Sequence, residues 1–266
     1  MLDKYNRQIN YLRISVTDRC NLRCQYCMPA EGVQLLPHNE ILSFDEIVDF
    51  VKVASSFGVN KVRITGGEPL VRKGIVDLVS MISNVEGIED LSMTTNGILL
   101  DKFAKDLKNA GLKRVNISLD AINPERFAEI TRGGDIQKVF DGIKSAQENG
   151  LTPIKINCVI YNKIKSQDAI EVEQFCKENN LQIRFIHVMN LAKGEFSMVE
   201  GGEGGNCKIC NRLRLTSNGM LRPCLFSDKT FSVRELGAEE AIDQAIGNKP
   251  KCGTASVNSS FYNIGG

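Results

Sequence analysis

The stretch Tyr11–Cys27, YLRISVTDRCNLRCQYC, joins a strand pattern to a cysteine loop. In its first half Leu12, Ile14 and Val16 fall on one side and Arg13, Ser15 and Thr17 on the other, the period-two pattern of a β-strand. Its second half places Cys20, Cys24 and Cys27 in C-x3-C-x2-C spacing directly after that strand. Thiols so close together on one loop suit a metal centre.

Working outward, strands are expected over Leu12–Val16, Lys61–Thr65, Leu91–Thr95, Arg114–Leu119, Thr152–Ile160 and Gln182–Val188. Helical patterns lie between them at Phe44–Phe57, Ile75–Ile82, Leu100–Ala110, Ile136–Asn149 and Asp168–Asn179. Gly58, Gly111 and Gly150 stand where helices should stop. Strand–helix units in series predict an α/β fold with a parallel sheet and right-handed crossovers. The expected form is a partial (β/α)6 barrel over roughly residues 10–190. Residues 1–190 would form that barrel and 191–266 a small, irregular C-terminal region with its own cysteines.

Buried parallel strands usually read apolar on both faces. Here one face is polar and cationic. Lys61, Arg63 and Thr65 oppose Val62 and Ile64; Asn116, Ser118 and Asp120 oppose Val115, Ile117 and Leu119. Lys155 and Asn157 oppose Ile154, Ile156 and Cys158, and Arg184 opposes Phe185. A barrel whose lumen is a substrate cavity reconciles these patterns. An antiparallel sheet with one wet face is the alternative.

The 33 Lys and Arg against 32 Asp and Glu leave a net charge of +1. That balance argues against a globally basic nucleic-acid binder, so attraction for an anion must come from local clustering. No signal peptide is visible, and no segment reaches the ~20 apolar residues that span a bilayer. The expected setting is a reducing cytoplasm, with no membrane and no nucleic-acid partner. Nine cysteines, an odd number, argue against a disulfide framework in that setting.

Three thiols on the first loop leave one iron of a [4Fe–4S] cluster open for a small chelating ligand. A zinc knuckle is the rival, with His38 as its fourth ligand. Cys207, Cys210 and Cys224 repeat the arrangement as C-x2-C-x13-C. They suit a second open cluster, or a zinc site completed by Cys252. Within this group Arg212 and Arg214 lie two apart, so both can point to one side of an extended segment. Cys158 and Cys176 read as small core residues. His187 shares parity with lumen positions and reads as a packing histidine.

DRCNLRCQYC and the TGGEP turn at Thr65–Pro69 resemble the signature of the radical S-adenosylmethionine superfamily. The likeness to its GTP 3′,8-cyclase family of molybdenum-cofactor biosynthesis runs through most of the chain. It includes YLRISVTDRCNLRCQYC, KVRITGGEPLVR, MTTNG, VNISLDA, KINCVI, RFIHVM, CNRLRLTSNGMLRPCLF and the terminal IGG. The resemblance implies that Cys20, Cys24 and Cys27 hold the S-adenosylmethionine cluster, with Tyr26, Gly67, Ser118 and Met189 around S-adenosylmethionine. It implies that Cys207, Cys210 and Cys224 hold a second [4Fe–4S] cluster whose open iron meets the guanine of GTP. Arg13, Lys61, Arg63, Thr94, Lys155, Arg184, Arg212 and Arg214 would surround GTP. Catalytic roles would fall to Arg212, Arg214 and the terminal Gly265–Gly266, which would thread into the site; a frayed terminus is the plain alternative.

The implied reaction starts when an electron splits S-adenosylmethionine to a 5′-deoxyadenosyl radical. That radical would take the 3′ hydrogen of GTP ribose, and the carbon radical would attack C8 of guanine. Implied partners are an electron donor such as ferredoxin or flavodoxin, the following enzyme cyclic pyranopterin monophosphate synthase, and a second copy in a homodimer. The chain departs from the family between RFIHVM and the second cysteine group, where only residues 190–206 intervene. That shortening keeps open a paralogue acting on another substrate such as a peptide. An electron carrier with two clusters and a zinc-stabilised nucleotide-binding module are the other rivals. Glu200–Asn206, EGGEGGN, reads as a mobile loop, and the residues beyond it as a tail with little regular structure.

Overall fold

The six expected strands form within a few residues of their expected bounds. In the computed structural model, which describes residues 1–161 and 165–257, they are β1 Tyr11–Ser15, β2 Lys61–Thr65, β3 Asp90–Thr95, β4 Arg114–Ser118, β5 Lys155–Ile160 and β6 Gln182–His187. The crossover helices are α1 Phe44–Ser56, α2 Ile75–Ser83, α3 Leu100–Asn109, α4 Pro124–Thr131, α5 Ile136–Glu148 and α6 Gln167–Glu178. Of these, α4 is additional to the expected set. Its start is Asn123–Pro124: Asn123 caps the Arg126 N–H and proline occupies the first turn. Helix α1 begins at a reciprocal Ser43–Glu46 capping box, a device worth about 1 kcal/mol.

Strands β1 to β6 pair in parallel in chain order, each reached through an intervening helix, as the strand–helix alternation predicts. The apolar parity faces the helices: Leu12, Ile14, Val62, Ile64, Val115, Ile117, Ile156 and Cys158 are fully buried. They pack in one core with Ile47, Val51, Leu78, Ile82, Leu107 and Ile143 from the helices. The polar parity is left to the other face.

After β6 the chain is more regular than its composition suggests. It adds β7 Arg212–Leu215, β8 Met220–Arg222, β9 Phe231–Ser232, α7 Val233–Leu236 and α8 Ala238–Gly247. Strand β7 joins the free edge of β1 in parallel, and β8 and β9 follow antiparallel. The result is one nine-stranded sheet in the order β6-β5-β4-β3-β2-β1-β7-β8-β9. It is an open sheet, as a partial barrel is.

The 200–206 stretch is folded against β6. Glu200 and Phe185 exchange backbone hydrogen bonds of 3.1 Å each, and Val199 N–H donates to Gly204 O at 2.7 Å. Gly201 has φ +77, and a Cβ there would lie 2.6 Å from Ile183 O. Only glycine fits that position. Phe196, from the same short connection, stacks on Phe226 at 4.5 Å. Residues 190–206 thus cover the polar side of the sheet with few residues.

Strand direction separates the two cysteine groups. Cys20–Cys27 follow β1, at the carboxyl end of the parallel strands. Cys207 and Cys210 precede β7, which is parallel to β1, and Cys224 follows the antiparallel β8. Both routes lead to the amino end. The two triads therefore sit at opposite ends of the sheet.

Candidate active site: two cysteine triads and a cationic cavity

At the carboxyl end the cysteine loop is held by its backbone. Cys27 N–H and Met28 N–H both donate to Cys24 O at 3.0 Å. Gln25 N–H bonds Ile130 O at 2.9 Å, and Arg132 donates to Arg23 O and Met28 O. The TGGEP turn lies directly on this loop. Gly67 N–H donates to Thr17 O at 2.7 Å and Glu68 N–H to Arg19 O at 2.8 Å. A Cβ at Gly67 would fall 2.3 Å from Arg19 O, so a side chain there would push the two loops apart. Close approach is required here by the chain itself.

Glu68 is 1% exposed. Its carboxylate accepts from Leu70 N–H, Thr95 Oγ1 and Asn96 N–H at 3.0, 2.8 and 2.7 Å. Burial outweighs those bonds and raises its pKa to about 7. Tyr26 donates its hydroxyl to Asp120 at 2.8 Å, and Asp120 also accepts from Val159 N–H. Burial lifts Asp120 to about 6. The thiols follow the same rule: burial pushes Cys20 and Cys27 to about 11, and burial with the Asp120 charge pushes Cys24 to about 12. A metal's positive charge is what would draw these protons off.

The polar face of the sheet forms a cavity of about 600 Å³. Register makes it dense in cations: Arg13 sits between Arg63 on β2 and Arg214 on β7, and Tyr11 sits between Lys61 and Arg212. Eight cations line it, Arg13, Lys61, Arg63, Arg114, Lys155, Arg184, Arg212 and Arg214, against the two carboxylates Asp90 and Glu203. Asp90 is already engaged by Arg114. Burial and then the neighbouring guanidiniums lower Arg63 to about 9 and lower Arg184, Lys155 and Arg214 as well. Burial would raise the Tyr11 phenol, but Arg13, Arg63 and Arg212 together hold it below its ordinary value. Like charges crowded in this way call for a polyanion.

Several buried side-chain atoms on this face have no hydrogen-bond partner: Tyr11 Oη, Arg13 Nε, Thr94 Oγ1, Arg212 Nε and both amide atoms of Asn116. Buried polar groups are rarely left so. Of these, Tyr11, Arg13 and Arg212 line the cavity, where their free atoms could meet a bound ligand.

Cys207, Cys210 and Cys224 line the same cavity at its amino end. Their segments are tied by two buried cations. Lys249, 1% exposed, donates to Arg212 O and Pro223 O at 2.6 Å each. Arg7, paired with Asp3, donates to Cys207 O, Lys251 O and Pro250 O at 2.8, 3.1 and 2.7 Å. Burial alone would raise the Cys210 thiol. Lys249, the Arg212 N–H, Arg212 and Arg214 overcome it and bring the thiol below its ordinary value. Among the described residues no three His, Cys, Asp or Glu side chains are drawn together as around a single ion.

Of the eight residues expected around GTP, seven line the cavity and Thr94 does not. Met189 lines it too, whereas Tyr26, Gly67 and Ser118 stand at the carboxyl ends of the strands outside that lining. Gly265 and Gly266 lie outside the described residues. His187 lines the cavity and shares a 3.1 Å hydrogen bond with Glu200. Cys158 and Cys176 are buried core residues, as read. Arg114, Asp90 and Tyr11 join the lining without having been expected there, although strand parity places all three on the polar face. Arg7 and Lys249 carry no local signal.

Residues 14–176 match the family described as the Radical SAM superfamily. A GTP 3′,8-cyclase of Thermodesulfovibrio yellowstonii is 44% identical over 292 residues, covering 92% of this chain and 91% of that protein. One of Alkaliphilus oremlandii is 41% identical over 299 residues, covering 94% and 93%. Both alignments exceed the chain's 266 residues, so these relatives carry residues that this chain lacks. Among solved structures, Streptococcus suis SuiB bound to its precursor peptide SuiA matches with TM-score 0.68 and 18% identity over 93% of this chain and 67% of that one. At that identity it speaks for the fold alone.

Proposed function

The chain belongs to the GTP 3′,8-cyclase family of the radical S-adenosylmethionine superfamily, and we propose that it converts GTP to (8S)-3′,8-cyclo-7,8-dihydroguanosine 5′-triphosphate, the first step of molybdenum-cofactor biosynthesis. The observation that carries this reading is the cavity, where eight cations meet a cysteine triad. A triphosphate suits the cations, and a purine suits the triad end. In this reading Cys20, Cys24 and Cys27 hold one [4Fe–4S] cluster and Cys207, Cys210 and Cys224 a second. Residues 1–190 and 191–266 are the units that carry them. Bound at the first triad, the cluster would supply the electron that cleaves S-adenosylmethionine.

The protein's own residues supply placement. Arg13, Lys61, Arg63, Lys155 and Arg184 would bind phosphate oxygens through charge-assisted hydrogen bonds. Arg212 and Arg214 would hold the nucleotide beside the second triad. Tyr26, Gly67, Ser118 and Met189 would contact S-adenosylmethionine from the carboxyl end, and the Asn116 amide, fully buried, is free to orient a hydroxyl. Holding ribose and adenosyl groups in contact and away from water confines a radical to one hydrogen. The Gly265–Gly266 tail would complete this enclosure. Ferredoxin or flavodoxin would suit as electron donor and cyclic pyranopterin monophosphate synthase as recipient of the product.

The test is anaerobic reconstitution with iron and sulfide, followed by incubation with GTP, S-adenosylmethionine and dithionite. The expected result is a GTP-derived cyclic product formed with 5′-deoxyadenosine. Deoxyadenosine formation indifferent to GTP would contradict the assignment and favour another substrate. Among the described residues no helix is long and apolar enough to cross a membrane.

A further inference from the structure

Cys252 lies outside both triads, yet its Sγ is 3.3 Å from Cys207 Sγ. The approach is built from both sides. The Arg7 guanidinium holds Cys207 O and, with the same side chain, Pro250 O and Lys251 O. Arg7 is itself 6% exposed and locked by Asp3 at 2.6 Å. Beyond Cys252, Thr254 N–H donates to Phe226 O at 3.0 Å, and Gly253 lines the cavity beside Phe226. The 250–254 segment is thus fastened immediately before and after its thiol. The two sulfurs meet because their backbones are clamped to one cation.

A separation of 3.3 Å has a definite meaning for ligation. Thiolates on one tetrahedral metal come within about 4 Å of each other, whereas thiolates on different irons of a cubane point away from each other. Cys252 donates its S–H to Cys207 Sγ, so a single iron at this corner would be within reach of either thiol. Their exposure differs: Cys207 is half-buried against the cavity and Cys252 is exposed.

We propose that Cys252 is an alternative ligand at the second centre, exchanging with Cys207 on one iron while Cys210 and Cys224 stay fixed. The exchange is a thiol-for-thiolate swap: the iron–sulfur bond to Cys207 breaks as that to Cys252 forms, and the proton of Cys252 ends on Cys207. No electron moves. The open iron is left for the nucleotide. The inference rests on the two-cluster reading above.

The experiment counts iron and sulfide, and records the spectrum of the reduced centre, in the reconstituted full chain. It uses Cys207→Ala, Cys252→Ala, the double variant and Cys210→Ala. Wild type and both single variants at positions 207 and 252 should hold about eight irons, and the double variant and Cys210→Ala about four. Cys207→Ala falling to four beside an eight-iron wild type overturns the exchange and leaves two clusters standing. A four-iron wild type overturns the two-cluster reading and the exchange with it. Alkylation of holo wild type needs no variant: peptide mapping should find label shared between Cys207 and Cys252. Label on Cys252 alone contradicts the proposal.

Discussion

The two cysteine triads share a three-thiol plan and differ in what surrounds it. At the carboxyl end Cys24 lies near Asp120 and Cys20 near Glu68, and burial with these carboxylates keeps the thiols high. At the amino end Cys210 lies in the field of Lys249, Arg212 and Arg214, which brings it low, while burial and the neighbouring Cys252 raise Cys207 to about 11. Acidic neighbours disfavour adding an electron, and cationic neighbours favour it. A centre that must reduce a sulfonium belongs in the first setting. A centre that meets an anionic nucleotide belongs in the second. On the proposed reading, the same ligand count would serve two roles, set apart by the charges around Cys24 and Cys210.

The largest effect should come from removing one triad at a time. Cys20→Ala, Cys24→Ala and Cys27→Ala together should abolish S-adenosylmethionine cleavage while about four irons remain. Cys210→Ala should keep cleavage with excess reductant and lose cyclised product. Deoxyadenosine and product, quantified side by side, check this. Equal loss of both in both variants would erase the distinction.

Next come the cations. Arg212→Ala and Arg214→Ala should each lower product formation by roughly 10²-fold or more, the scale on which a misplaced substrate loses rate, with iron content unchanged. Full turnover in both would remove them from the nucleotide site. Lys249→Met should then lower the reduction potential of the second centre by on the order of 100 mV, since a buried unit charge beside thiolates is removed. The first centre should not move. A redox titration followed by electron paramagnetic resonance reads both.

The smallest effect concerns Glu68 in the metal-free protein. Its folded pKa of about 7 lies above the ordinary carboxyl value of 4.5. Between those values the folded state binds the extra proton, so stability should fall as pH rises from about 4.5 to 7. The loss is on the order of 3 kcal/mol at most. Below pH 4.5 both states are protonated and the penalty is absent. Denaturant titrations at several pH values should show this slope, and Glu68→Gln should flatten it. A slope retained in that variant would assign it to another group.

Much of this was legible in the chain. Alternation in β1, β2, β4 and β5 gave the strands and the cationic face, because each side chain's parity fixes its side of a sheet. The same rule would have added Arg114, Asp90 and Tyr11. The β7–β8 hairpin was also readable: Gly219, at φ +82, follows Asn218 in a standard turn pair. So was α8, whose Ala241, Ile242, Ala245 and Ile246 form one buried face. What no local pattern could show was Arg7 and Lys249. Each binds carbonyls that are distant in sequence, up to 244 residues away for Arg7. Cys252 was already readable as a possible fourth ligand beside Cys207, but the clamp that brings the two thiols together was not.

The most direct measurement uses the chain lacking Cys20, Cys24 and Cys27, reconstituted and reduced, so that only the second centre has spin. Hyperfine spectra are compared with unlabelled GTP and with GTP carrying ¹⁵N in the guanine. A nitrogen coupling that changes with the isotope is the expected result. Spectra that ignore the label, or a protein with no paramagnetic centre left, would contradict the account.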